Sequence, residues 1–501
     1  MRALLFKTLF RGQNVDKCSA GACRWYYTNR HGIGKVTLYS KVSPLGDPAT
    51  RLTPLLERWV EDGNKVRVPE LQRIIRDLRK RKRFSQALEV SEWMENKGIC
   101  AFSPTEHAIQ LNLIGKVHGF LTAETYFQNL RDEDKTDKTY GALLHCYVRQ
   151  HQIEKSLSHL QKMKEIGYAT SPLPYNNIMS LYAKIYQYDK IPGLLTEMKR
   201  DKVSPDNFSY KFCIMAYGIK SDIEGMEKIL KEMETQPNIV MDWSTYATVA
   251  NYYIKGGLAD KAIDAMKKSE MKLNNKDGTG HNHLISLYAT LGKKVEVLRL
   301  WDLEKSACKR RINKDYINML ESLVRLGELE EAEKVLKEWE TSGNCYDFQV
   351  PYTVIMGYCE KGLFEKAEAM LEELVEKGRT STSDSWEKIA KGYLNKGNID
   401  KAKVCMQVAL SYEKNQTKGW KPNPKTVTSL LISLGETGSI NDVEAFVGQL
   451  RDVILMDRQM YHALLKASIR SGKEVDGLLQ GMKADKINED EETKMILGLR
   501  E

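Results

Sequence analysis

Gly257, Gly292, Gly327, Gly362 and Gly397 follow one another at intervals of 35 residues. Five residues after four of these glycines stands an alanine, at Ala262, Ala332, Ala367 and Ala402, with Val297 in the remaining place. Eleven residues before each glycine come Tyr246, His281, Tyr316, Pro351 and Trp386. Three columns sharing one register do not arise from composition. The chain is built of repeats, and that settles its fold class before any single motif does.

Each unit reads as two helices. The first, as in 351–361, carries aromatic and branched residues and stops at the glycine, which takes a left-handed cap at no steric cost. The second opens with an acid in its first turn (Asp260, Glu330, Glu365, Asp400), where the helix dipole favours negative charge. Its apolar residues, such as Phe364, Ala367, Met370, Leu371 and Leu374, recur at three and four. The small alanine lets the two helices approach closely. One hairpin cannot bury both of its faces, so neighbours must stack.

The expected fold is therefore all-α: a right-handed α-solenoid superhelix of about twelve 35-residue helix–turn–helix repeats spanning 68–490. The repeats start near residues 68, 104, 137, 172, 207, 243, 278, 313, 348, 383, 424 and 458. An N-terminal helical cap segment, 37–67, precedes them and includes a helix in "LTPLLERWVEDG" (52–63). Residues 491–501 form a C-terminal capping helix. The tenth repeat is longer by about six residues, and "SYEKNQTKGW" (411–420) reads as a loop insertion.

Composition narrows the function classes. With 42% hydrophobic and 29% charged residues among 501, a large apolar interior is available. No stretch approaches the ~18 consecutive apolar residues of a membrane span, so no membrane partner is expected. The nine cysteines include no CxxC and fit neither a zinc site nor a disulfide framework, as buried thiols in a reducing compartment would. The net charge of +9 is mildly basic and permits a polyanionic partner.

Part of that charge belongs to the beginning of the chain. Residues 1–30 hold Arg2, Lys7, Arg11, Lys17, Arg24 and Arg30 against one acid, Asp16. Leu4, Leu5, Phe6, Leu9 and Phe10 gather on one helical face between them. Residues 1–36 thus read as a mitochondrial transit peptide with its lead-in, a chloroplast address or a plain basic tail being the alternatives. Cleavage after Tyr26 leaves a charge of about +5.

A 35-residue period is not that of tetratricopeptide repeats, which recur at 34. Two units close on proline plus an acid or amide, in "VSPD" (203–206) and "WKPN" (420–423). "TYGALLHCYVRQHQIEKSLSHLQKMKEIG" and "PYTVIMGYCEKGLFEKAEAMLEELVEKG" resemble the pentatricopeptide repeat, the RNA-binding hairpin of organelles, in its P class. "LYSKVSPLGDP" (38–48) followed by "ELQRIIRDLRKRKRFSQALEVSEWM" (70–94) is similar to a plant mitochondrial subgroup. The resemblance implies single-stranded RNA lying along the array at about one base per repeat. Base choice then rests on the fifth residue of each first helix and the last residue of the repeat. Apolar second residues of successive repeats sandwich the base.

Carried over, these positions single out Asn176 with Asp206, the pair favouring uracil, flanked by Leu173 and Phe208. In the same repeat Tyr186 replaces the turn glycine and Pro192 shortens the second helix. Thr428 with Asp457 matches the guanine pair, but Lys425 and Gln459 offer no apolar sandwich. The other units match no clear pair: Gln72 and Phe102, Lys211 and Asp242, Tyr352 and Thr382, His462 and Asp490; Asn282 has Ile312 opposite it.

The thirteenth position is cationic in seven units: Lys80, Lys116, Arg149, Lys184, Lys255, Arg325 and Arg470. Such a row suits an RNA backbone, thickened by "RKRKR" (79–83), although helix C-termini favour cations in any case. "HNH" (281–283) falls where the repeat needs a core residue, so no metal is expected there. Paired acids such as Glu330 and Glu331 read as solvated faces. No HxE or CxxC signature is present, and neither catalysis nor a cofactor is expected. The expected protein is a monomeric mitochondrial adaptor on messenger or ribosomal RNA, in transcript processing, stability or translation. Its rival is a structural scaffold with little base specificity, held to ribosomal RNA and proteins.

Overall fold

The structure, a computed structural model, describes residues 37–498 apart from residue 48 and the stretches 275–277, 308–310, 380–381 and 417–419. Residues 1–36, expected to be a transit peptide with its lead-in, lie outside the described residues. Among those described, the chain is helical throughout, and it divides into an N-terminal unit, Met1–Lys272, and a C-terminal unit, Leu273–Glu501.

In the N-terminal unit the first helices of six successive repeats are Val68–Lys80, Pro104–Val117, Asp137–Arg149, Pro172–Lys184, Asn207–Ile219 and Trp243–Lys255. In the C-terminal unit they are Gly278–Thr290, Asn313–Leu326, Gln349–Glu360, Ser383–Asn395, Pro424–Thr437 and Arg458–Arg470. These starts follow the register of the sequence. Each first helix is followed by an antiparallel second helix, for example Ile223–Thr235 or Phe364–Glu376.

The periodic columns have the physical roles that their residue types suggest. Ala262, Ala332, Ala367, Ala402 and Val297 are sealed in the core where the two helices meet. Tyr246, His281, Tyr316, Pro351 and Trp386 are buried too. The turn glycines adopt left-handed backbone, with φ from +71° at Gly292 to +81° at Gly327. Between repeats some contacts are so close that a side chain is excluded. A Cβ on Gly218 would lie 2.3 Å from the Tyr252 ring, and one on Gly392 would lie 2.1 Å from Phe364.

The turns of the N-terminal unit differ. Lys82, His151, Tyr186 and Ser221 hold φ near +60° where later repeats use glycine. Each L-residue there costs roughly 1 kcal/mol or more through its Cβ.

A ladder of charges joins neighbouring second helices. Glu124 accepts from Tyr147 (2.6 Å) and Lys155 (2.6 Å). Glu227 does the same with Tyr253 (2.9 Å) and Lys261 (2.7 Å), and Glu368 with Tyr393 (2.6 Å) and Lys401 (3.0 Å). The Lys261 ammonium holds the Glu227 carboxyl below its usual range. On this layer, then, lysines are neutralised by partners one repeat away.

Both ends are closed by local pieces. Leu38–Val42 and Thr53–Glu61 pack on the first repeat, where Glu89 accepts from the backbone of Leu52 (2.9 Å) and Thr53 (2.8 Å). Arg81 donates to Ser43 O (2.8 Å), and Arg83 is buried against Leu45 and Gln86. Two of the five residues of "RKRKR" therefore hold the cap segment in place instead of thickening the cationic row. At the far end Glu491–Gly498 lays Ile496 against Leu465 and Val475. The tenth repeat departs from expectation: its second helix runs Ile399–Gln416, so 411–416 extend the helix and are not loop. Glu, Lys and Gln are good helix formers, and no glycine or proline intervenes before Gly419.

Candidate nucleic-acid interface

Pro172 and Pro174 open the first helix of the fourth repeat, where missing N–H groups matter least, and this places Asn176 at the helix's second turn. Asn176 is only 8% exposed. Its Nδ2 donates to Asp206 Oδ1 at 2.9 Å, across 30 residues of sequence. Asp206 is the N-cap of the next first helix, accepting from Ser209 N at 2.9 Å. The buried Ser209 hydroxyl lies 2.8 Å from Asn176 Oδ1 and 3.0 Å from Asp206 Oδ1. One amide, one carboxylate and one hydroxyl are thus locked together before any ligand arrives.

On either side the surface is apolar: Leu173 is 62% exposed and Phe208 55%. Two exposed hydrophobic side chains thus stand three residues before Asn176 and two after Asp206. An amide N–H beside a carboxylate oxygen presents a donor next to an acceptor. Uracil offers the complement, a carbonyl oxygen beside N3–H, whereas cytosine presents a bare N3 that the carboxylate repels.

Elsewhere six polar fifth residues are occupied by contacts within the array. Lys211 donates to Asp242 Oδ2 (2.6 Å) and Ser244 (2.7 Å), closing the repeat next to Asn176. Gln72 donates to Glu106 (2.8 Å), and Asn282 donates to Asp315 (2.7 Å). Glu387 accepts from Asn423 N (2.6 Å), and His462 is 2.9 Å from Thr493. Tyr352 donates to Asp384 at 3.0 Å. Of the second sequence pair, Asp457 caps its helix by accepting from Met460 N (3.0 Å), and Thr428 is half-buried. Among the described residues these two are not bonded to each other. His281 of "HNH" is buried in the core, and burial pushes His283 down to about 4.

The thirteenth-position cations split by unit. In the N-terminal unit, Lys80, Lys116, Arg149 and Lys184 form no ion pair among the described residues. Arg149 instead repels Lys116 and Lys184. Burial, then Arg149 and Arg79, push Lys116 down to about 8, and burial with Arg149 lowers Lys184. His145 is half-buried, and desolvation, then Lys116, Lys184 and Arg149, push it down to about 4. Lys255 lies over the Tyr252 ring at 5.3 Å. In the C-terminal unit the two arginines donate to oxygens of the preceding repeat, one side-chain hydroxyl and several backbone carbonyls. Arg325 donates to Thr290 Oγ1 (2.9 Å) and Ser286 O (3.4 Å). Arg470 donates to Gly435 O (2.8 Å) and also to Glu436 O and Gly438 O.

Comparison with known proteins decides what kind of array this is. The family model described as the PPR repeat matches residues 138–168, 174–203, 208–236, 316–344 and 352–379. The chain is 56% identical over 480 residues to the pentatricopeptide repeat-containing protein At4g21705, mitochondrial, of Arabidopsis thaliana, across 96% of this chain and 97% of that one. The chain belongs to the pentatricopeptide repeat family. A second Arabidopsis thaliana member, At2g20710, mitochondrial, is 39% identical over 328 residues, 65% of this chain and 67% of its own. The fold is similar to that of the pentatricopeptide repeat protein PPR10 from maize. The TM-score there is 0.50 at 17% identity, covering 92% of this chain and 69% of that one. Both relatives are named mitochondrial, in agreement with the address read from the basic start of the chain, and the protein is mitochondrial. Proteins of this family are generally RNA binders without catalysis.

Proposed function

We propose that this protein is a non-catalytic mitochondrial adaptor that binds single-stranded RNA through its N-terminal unit, in transcript processing, stability or translation. The observation that carries the reading is the preassembled Asn176–Asp206 pair between exposed Leu173 and Phe208. It lies in register with the unpaired cations Lys80, Lys116, Arg149 and Lys184. One uracil is read at Asn176 and Asp206, sandwiched by Leu173 and Phe208, while the cations follow the sugar–phosphate chain. Thr428 and Asp457 form at most a secondary reader, and Arg325 and Arg470 act mainly within the fold.

Binding of uracil-bearing and uracil-free single strands by the mature chain tests this. The expected result is tighter binding with uracil, and loss of that difference in Asn176→Ala, with a modest fall in melting temperature because the buried Ser209 hydroxyl loses a partner. Equal binding of both strands by the wild type removes the specific site.

One observation favours a second reading, that of a scaffold on ribosomal RNA and proteins: most fifth-position side chains are already engaged within the array. In that case RNA binding is indifferent to sequence, and the protein co-purifies with ribosomal particles.

A further inference from the structure

Four side chains in the N-terminal unit occupy a left-handed conformation that glycine takes at the equivalent turn of most other repeats. Lys82, His151, Tyr186 and Ser221 have φ of 60°, 58°, 62° and 61°. The equivalent turns at Gly257, Gly292, Gly327, Gly362, Gly397 and Gly472 show that glycine serves the fold here. The four side chains return nothing visible to the fold. All are exposed, Tyr186 by 73%, and its ring meets Tyr188 with centroids 6.3 Å apart. Among the described residues the side chains of Lys82, His151 and Ser221 form no hydrogen bond.

Their place is informative. Lys82, His151 and Tyr186 stand two residues beyond Lys80, Arg149 and Lys184, at the same end of the first helices. His118, also exposed, follows Lys116 in the same way. The result is one edge carrying ammonium, guanidinium, imidazole and phenol groups in consecutive repeats. The acid closest in sequence to Tyr186 is Asp189, and it is held by Lys220.

We propose that this turn edge is a second contact track for the RNA strand, on which Lys82 meets phosphate while His151 and Tyr186 stack on bases. The proposal rests on the RNA-binding reading above and extends it from the base slot to the rim of the unit. Cations without carboxylate partners attract a polyanion, and flat exposed rings spaced one repeat apart suit successive bases. A protein partner would call for a contiguous apolar centre, which these separated polar rings do not supply. The track also explains how an array with one good base slot gains affinity: most of it comes from contacts indifferent to sequence.

The test is the triple variant Lys82→Gly, His151→Gly, Tyr186→Gly in the mature chain, with a uracil-bearing single strand titrated by fluorescence anisotropy at several salt concentrations. Because glycine relieves each turn, the melting temperature is expected to hold or rise while the Kd weakens about tenfold. Tyr186→Phe is expected to keep wild-type affinity, since the ring face is retained. If the wild type fails to bind RNA at all, the functional reading itself falls. If the wild type binds and the triple variant binds equally well, the track is refuted. A drop in melting temperature would also refute it, by showing that these side chains serve the fold. Unchanged RNA affinity with loss of a co-purifying acidic protein would refute it in favour of a protein surface.

Discussion

The two units repeat the same hairpin and treat the same positions in opposite ways. In the N-terminal unit the ends of the first helices carry Lys80, Lys116, Arg149 and Lys184, of which Arg149 repels Lys116 and Lys184, and the turns at Lys82, His151 and Tyr186 are strained. In the C-terminal unit the corresponding positions are Thr290, Arg325, Glu360, Asn395, Glu436 and Arg470, and both arginines bind carbonyl oxygens of the previous repeat. Five of the equivalent turns there, at Gly292, Gly327, Gly362, Gly397 and Gly472, are left-handed glycines. A position in a repeat is thus not functional by virtue of its number. It becomes available to a ligand only where the fold has left its charge or its hydrogen bonds unanswered, and that happens mainly in one unit.

The largest expected effect comes from breaking this asymmetry directly. Neutralising Lys116, Arg149 and Lys184 to alanine is expected to weaken single-strand binding at least thirtyfold at low salt. The slope of log K against log salt should become shallower by about 2. Arg325→Ala with Arg470→Ala is expected to leave RNA affinity alone and lower the melting temperature. Next in size, Asn176→Ala is expected to reduce the preference for uracil over cytosine about tenfold, with Thr428→Ala having no such effect; competition binding reads both. A gain of function sharpens the comparison further. Lys211→Asn would remove the ion pair to Asp242 and install a second amide–carboxylate pair. A several-fold preference for uracil is then expected at the adjacent nucleotide.

The smallest effects concern pH and run in opposite directions. Lys116 has a folded pKa of about 8, below the usual 10.5. Between those values the unfolded chain holds a proton that the folded chain has released, so this group makes stability rise with pH above about 8. Glu304 of the C-terminal unit is 1% exposed, and among the described residues neither of its carboxylate oxygens has a hydrogen-bond partner. Burial, then Asp315, raises it to about 8. Here the folded chain keeps a proton that the unfolded chain releases, so stability falls as pH rises from 4.5 towards 8. Glu304→Gln is expected to flatten that fall in denaturant midpoints measured across the range.

Much of the scaffold was legible because helix-hairpin repeats write their register in small residues. Gly327, Ala332 and Tyr316 each announce a local requirement: a left-handed turn, a close helix crossing, a core aromatic. The Asn176–Asp206 pair was singled out by the family resemblance, which names those places in consecutive repeats, and a hydrogen bond joins the two side chains. What stayed hidden depends on contacts across repeats that no local pattern encodes. Nothing in the neighbourhood of Arg470 shows that it reaches carbonyls more than thirty residues away, or that Arg83 holds the cap segment. The Tyr–Glu–Lys ladder could have been found, because Tyr147, Tyr253 and Tyr393 stand at similar distances from Glu124, Glu227 and Glu368. The longer second helix of the tenth repeat was missed because a length excess says nothing about whether a helix or a loop absorbs it.

Hydrogen exchange of the mature chain with and without a uracil-bearing single strand tests the central claim most directly. Protection is expected along the C-terminal ends of Val68–Lys80, Pro104–Val117, Asp137–Arg149 and Pro172–Lys184 and at the Asp206 cap. The matching ends of Asn313–Leu326 and Arg458–Arg470 are expected to be unchanged. Equal protection in both units, or protection confined to the C-terminal one, would contradict the account.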